Sequence, residues 1–103
     1  MRTIEEVTTA IVSRFRNIGI AQVSGYKSFT YIRETDNAVL IKRENGSEAR
    51  IPIDKIREAI EAVRSNTHVY NDGPSSLANY GITHVNSPIW AMLHLIPLNE
   101  ILE

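Results

Sequence analysis

Apolar side chains at Ile4, Val7, Ile11, Phe15 and Ile18 recur at steps of three and four. That spacing places them on one face of an α-helix over residues 3–18. Thr3 and Glu6 have the separation of a capping box, and Gly19 stands where a left-handed residue closes a helix. From Ser28 the period changes to two. In Ser28–Arg33, Ala38–Arg43 and Ser47–Ile53 the odd positions are mostly apolar (Phe29, Tyr31, Val39, Ile41, Ala49, Ile51, Ile53), whereas Ser28, Thr30, Lys42, Glu48 and Arg50 hold even ones. Alternation of this kind predicts three strands with one buried and one wetted face.

Parity selects the turns. A two-residue Asn45-Gly46 loop would set Ile41 against Arg50 and mix the faces. A three-residue Glu44-Asn45-Gly46 loop pairs Ile41 with Ala49, Val39 with Ile51 and Lys42 with Glu48. By the same parity, Glu34-Thr35-Asp36 or Thr35-Asp36-Asn37 closes the first hairpin. Asp54 is the expected N-cap of a helix over 55–65, with the stripe Ile56, Ala59, Ile60 and Val63 and an outer Arg57–Glu61 pair. Residues 66–87 carry turn signals at Asn71-Asp72-Gly73-Pro74 and Tyr80-Gly81 and read as irregular, with a short helix over Ser76–Asn79 as an option. Ser87-Pro88 opens a last helix over 88–96, which Pro97 stops. The prediction is one α+β domain over 1–103, a small antiparallel meander with helices on one face, in the order α-β-β-β-α-irregular-α. Residues 20–27 are a candidate fourth strand.

Composition removes several classes of function. The 103 residues contain no cysteine, which excludes disulfides, zinc thiolates and cysteine nucleophiles. Apolar residues at 43% and charged residues at 22% are globular usage, not that of a disordered chain. The net charge of −1 gives no general attraction to polyanions. Its distribution is uneven: all 11 Lys and Arg fall in residues 1–64, and residues 65–103 hold 3 acids and neither cation. The most apolar stretch, Pro88–Leu98, falls short of the roughly 20 residues a bilayer span needs, and the N-terminus lacks a signal-peptide core. A cytoplasmic protein with no membrane contact is expected.

Catalytic patterns are sparse. His68, His84 and His94 lie 16 and 10 residues apart, and no pair has the i,i+4 spacing of a helical metal site. Ser75-Ser76 lies outside any nucleophile elbow. Asp36 with Glu48-Ala49-Arg50 departs from the acid-and-lysine set of metal-dependent nucleases, since arginine does not deprotonate. The five glycines are isolated and build no phosphate loop. No catalytic, cofactor-binding or metal residue is assigned, and no cofactor is expected. An enzyme would have to draw on His68, Asp72 or His84 in the irregular segment.

Two surfaces remain. The wetted sheet face offers Lys42 and Arg50, with Arg33 and Arg43 near strand ends, as a weak nucleic-acid or other polyanion contact through Lys42, Arg50 and Arg33, bordered by Tyr26, Lys27 and Thr30 and interrupted by Glu34, Glu44 and Glu48. The helix 88–96 has one polar side chain, His94, so it must be covered on nearly all sides. Either it plugs the core or it meets a second copy of the chain. The tail adds Leu98, Ile101 and Leu102, which otherwise stand in water. The expectation is a non-catalytic interaction module, a homodimer through Trp90, Met92, Leu95, Leu98, Ile101 and Leu102.

Phe29-Thr30-Tyr31, the meander ending in Ile51-Pro52-Ile53, the helix after it, and Ser87-Pro88-Ile89-Trp90-Ala91-Met92-Leu93 carry one resemblance. Across about 70 residues the chain resembles a small accessory module found beside HNH-type or restriction-like endonuclease domains. It departs from that module in having Pro88 where an aromatic follows the serine, and it contains no HNH segment. The resemblance implies DNA-associated biology, in a restriction-like or mobile-element system, and transfers no catalytic residue.

Overall fold

The computed structural model describes residues 1–103. Helix α1 runs Ile4–Ile18, with the Thr3–Glu6 capping box formed in both directions and Gly19 closing it at φ 88°. Its apolar stripe buries Val7, Ile11 and Phe15 completely. The chain then enters a four-stranded antiparallel meander: β1 (Ile20–Ala21), β2 (Phe29–Glu34), β3 (Ala38–Arg43) and β4 (Glu48–Pro52), paired in that order. The candidate fourth strand thus exists, but only its first two residues pair.

The β3–β4 hairpin has the predicted register, with Ile41 opposite Ala49, Val39 opposite Ile51 and Lys42 opposite Glu48. Gly46 takes φ 89° in the three-residue loop, a conformation that a β-carbon would strain. The β2–β3 hairpin differs from expectation. Thr35 donates its N–H to the Ala38 carbonyl, so the loop is the two residues Asp36-Asn37. Neither has a positive φ, so the turn is not the type whose twist matches the strands. A β-bulge between Tyr31 and Arg33 absorbs the difference. Below it Tyr31 faces Ile41 as parity requires; above it Arg33 faces Leu40 and Glu34 faces Val39.

The helices cover the face that carries Phe29, Val39, Ile41 and Ile51. Helix α2 spans Ile53–Ser65 and begins earlier than its sequence signals indicate. Ile53 still donates to the Asn37 carbonyl, so strand passes into helix without a spare capping residue. Asp54 therefore lies inside the first turn, where its carboxylate accepts from Arg57 rather than capping the helix. Arg57 pairs with Glu5 of α1 as well, not with Glu61. The irregular segment contains two 3₁₀ stretches, Thr67–Tyr70 and Pro74–Tyr80.

Helix α3 spans Asn86–Leu93, starting before Ser87 and ending short of residue 96. Pro97 has no N–H for the Leu93 carbonyl, and the backbone instead tightens into i→i−3 bonds at His94, Leu95 and Ile96. All of Pro88 to Leu93 is buried, between α1, α2, β1 and the second 3₁₀ stretch. The tail is not left in water. It folds as α4 (Leu98–Leu102) against α2, with Ile101 fully buried.

Arg64 holds both chain ends. Its Nε donates to the Ile101 carbonyl at 2.7 Å and its guanidinium nitrogen Nη2 to the Arg2 carbonyl at 2.8 Å. Arg2 N–H in turn bonds the Glu103 carbonyl. Arg64→Met keeps most of the apolar stem and removes both bonds. It is expected to lower stability by about 2–3 kcal/mol in urea melts and to strip exchange protection from the amides of 98–103. An unchanged midpoint with protected tail amides would contradict the clamp.

Candidate functional site

The bulge decides what the uncovered sheet face displays. Without it, Arg33 would point into the helix layer and Glu34 out of the sheet. With it, Arg33, Leu40 and Arg50 lie side by side across three strands, one row from Thr30, Lys42 and Glu48. The three cations named from sequence are therefore brought to one face. Ile20 and Ile32 are 44% and 38% exposed, and Leu40 is half-buried between Arg33 and Arg50. No aromatic ring joins them, because Phe29 and Tyr31 turn inward, Tyr31 edge-on to Phe15 at 5.5 Å. Tyr26, expected at the border of this face, packs instead beside Trp90.

Glu34, sent to the helix side, accepts from Arg16 and from the Tyr31 hydroxyl at 2.8 and 2.9 Å. The Arg16 bond holds its carboxyl below the usual carboxylate range, and burial raises the Tyr31 phenol. Of the remaining helix-side cations, Arg57 pairs with Glu5 and Asp54, Lys55 with Glu58 and Arg2 with Glu100, while Arg14 and Arg64 donate to backbone carbonyls. On the sheet, Lys27, Arg33, Lys42, Arg43 and Arg50 form no ion pair. Lys42 and Glu48 are register partners, but their charged ends do not meet. Arg50 bonds only the neutral side chain of Asn37, at 2.9 Å.

The expected dimer surface is largely absorbed by the fold. Trp90, Met92 and Ile101 belong to the core of the single chain, because α1, α2, β1 and the 3₁₀ segment Pro74–Tyr80 surround α3 and α4 packs on α2. Leu95, Leu98 and Leu102 are half-buried against that core. Trp90 donates Nε1–H to the Val69 carbonyl at 2.9 Å.

The catalytic candidates are dispersed. Asp36 and Glu48 lie toward opposite ends of β3, about 13 Å apart at the strand rise. Ser76 directs its hydroxyl to the Gly73 carbonyl within its own turn. His68, Asp72 and His84 are exposed, and no three His, Asp or Glu side chains converge on a point.

His94 has a structural setting. Its ring stacks on Tyr70 at 3.9 Å and tilts against Trp90 at 4.5 Å. Nε2 lies 2.6 Å from the Tyr70 carbonyl, which can only accept, so the ring carries its proton there. The Tyr70 hydroxyl donates to the Ile96 carbonyl at 2.8 Å. Burial lowers the His94 pKa and raises that of Tyr70, favouring the neutral form of each ring.

Sequence reasoning missed a groove of about 450 Å³ at the β1–β2 end of the sheet. Phe29, Trp90 and Ala91 form its floor, Tyr26 and Pro74 its walls, and Lys27, Arg43, Glu44 and Ser87 its rim. Four separate stretches of chain build it, and no periodic signal links them.

Comparison with known families, curated proteins and solved structures finds no match. Function therefore rests on the geometry. No helix is long and apolar enough to cross a membrane.

His94 has a pH signature. The unfolded histidine takes up a proton near its ordinary value of 6.5, the folded one only below it. Between these values the unfolded state binds more protons, so stability falls as pH falls. His94→Gln is expected to flatten urea midpoints through that window while the wild type declines. Parallel curves would remove this role from His94.

Proposed function

We propose that the chain is a non-catalytic interaction module whose open sheet face meets an acidic partner protein. The observation that carries this reading is the row Arg33–Leu40–Arg50, with Lys42 beside it: cations without carboxylate partners, interleaved with apolar side chains. A helix layer stabilises the sheet from one side only, so the other is free to bind. Arginine beside aliphatic surface suits a protein contact in which carboxylates answer the cations and apolar side chains cover Ile32 and Leu40. Self-association through the C-terminal segment would rest on Leu95, Leu98 and Leu102 alone, a smaller and less exposed set.

The same three cations support a second reading, association with DNA. Phosphates would take Arg33, Lys42 and Arg50 without needing the apolar residues, and binding would fall steeply with salt. The absence of an exposed ring on this face argues against stacking on unpaired bases.

Fluorescence anisotropy of a labelled acidic, leucine-containing peptide and of a labelled DNA duplex tests both. Peptide binding is expected, weakened at least tenfold in the Arg33→Glu/Lys42→Glu/Arg50→Glu variant with its circular dichroism unchanged. Tighter binding of the duplex, equally sensitive to reversal, would favour the DNA reading. Binding of neither, or binding indifferent to reversal, would overturn the assignment of this face.

A further inference from the structure

We propose that the groove between Tyr26 and Trp90 is a binding site for a small planar aromatic carboxylate. It is built separately from the open sheet face and does not depend on what that face binds. Its volume of about 450 Å³ lies in the range of small-molecule sites, about 300–1,000 Å³. Like such sites it combines an apolar floor with a few polar groups at the rim.

The shape favours a flat ring. Tyr26 is 46% exposed although its ring lies 4.9 Å from Trp90, so one face of the phenol remains open to the groove. The backbone holds this wall in place. Gln22 donates its side-chain N–H to the Tyr26 carbonyl at 3.2 Å, and the Tyr26 hydroxyl lies over Gly73, where a β-carbon would approach to 3.1 Å. Tyr26 and Trp90 already touch, so a ring entering the groove lies along the open side of Tyr26 and makes offset or edge contacts there and at the edges of the floor.

The charge favours an anion. Lys27 and Arg43 stand at the rim without acidic partners, and the Arg43 guanidinium sits 6.0 Å above the Phe29 ring. Glu44 is the opposing charge, and it is already engaged: its carboxylate accepts from the Ser28 N–H at 2.6 Å and the Ser28 hydroxyl at 3.2 Å. Arg43 presents a planar fork that matches a carboxylate through two parallel hydrogen bonds. The Ser87 hydroxyl, which has no intramolecular partner, supplies a further donor at the rim. A ring on Tyr26 and a carboxylate on Arg43 use the two ends of the groove together.

Trp90 is the only tryptophan and its ring lies in the floor, so its indole resonances report on the groove through the ring, with the N–H itself bonded to the Val69 carbonyl. The experiment is an NMR titration of the full chain with 2-naphthoate, with 2-naphthylmethanol as the uncharged ring and acetate as the ringless anion. Saturable shifts of the Trp90 indole and of the Tyr26, Lys27 and Arg43 amides are expected with naphthoate, and at least tenfold weaker binding of the alcohol. Arg43→Gln should weaken naphthoate about tenfold and leave the alcohol unchanged; Tyr26→Ser should weaken both. Reversing Arg33, Lys42 and Arg50 should leave naphthoate binding intact, which separates this site from the open face. The proposal is overturned if naphthoate gives no saturable shift at the indole, if acetate matches it, or if Arg43→Gln binds as tightly as the wild type.

Discussion

Pro88 to Leu93 are all withdrawn from water, and one flat surface cannot do that to a helix. A helix that lies on a sheet buries a stripe and wets the rest. For α3 every side needs cover, and the fold supplies it from separate parts of the chain. Helices α1 and α2 and the edge strand β1 take one side. The 3₁₀ segment Pro74–Tyr80 takes another, and Trp90 ties the first 3₁₀ stretch to the helix through the Val69 carbonyl. Each large apolar side chain so buried contributes about 1.5–3 kcal/mol. The same requirement keeps charge out of Pro88 to Leu93, where every side chain is buried; it does not extend to residues 65–85, many of which are exposed although none is Lys or Arg.

A second constraint acts in the sheet. Period-two alternation fixes which residues face the helices, and Phe29, Tyr31, Val39 and Ile41 obey it. Strict continuation would set Arg33 against the helix layer. Burying an unpaired guanidinium there is costly, whereas one extra residue in the strand costs only local ladder bonds. The bulge at Ile32 inverts the alternation beyond that point. Arg33 emerges on the open face, and Glu34 arrives where Arg16 and Tyr31 already offer hydrogen bonds. One irregularity therefore gives Glu34 its hydrogen-bond donors and assembles a row of cations.

What the sequence made legible follows the range of the forces involved. The α1 caps, the Gly46 loop and the β3–β4 register depend on neighbours within a few residues, and they appear in the pattern directly. Helix α2 begins earlier than Asp54 indicates because its first residue, Ile53, donates its N–H to the carbonyl of Asn37, distant in sequence. The end of α3 depends on Pro97, and the visible proline marked the right neighbourhood but not the tightened turn before it. The bulge had a sequence sign in the hydrophobic Ile32 beside a parity conflict at Arg33–Glu34, although only pairing with β3 resolves it. Of the candidate surfaces, Lys42 and Arg50 could be placed together because strands alternate, whereas Arg33 joins them only through the bulge. Trp90, Met92 and Ile101 could not be separated from an interface by sequence, since a covered helix looks the same whether its own chain or another covers it. The groove was hidden for a related reason: Tyr26, Arg43 and Trp90 are brought together by the tertiary fold alone.

The near-neutral total charge is a poor guide to how this molecule meets a partner. Screening limits the reach of an exposed charge to about 8 Å in physiological salt, so a partner senses local groups and not the sum. In the helix layer the cations are engaged: Arg16 with Glu34, Arg57 with Glu5 and Asp54, Lys55 with Glu58, while Arg14 and Arg64 donate to backbone carbonyls. Arg33, Lys42 and Arg50 stand on the opposite side of the sheet without such partners, and Glu48 is the one acid among them. Removing Glu34 from that face through the bulge makes the difference, since its charge would otherwise offset a cation there. The selectivity of the face thus arises from where acids have been withdrawn as much as from where cations are placed.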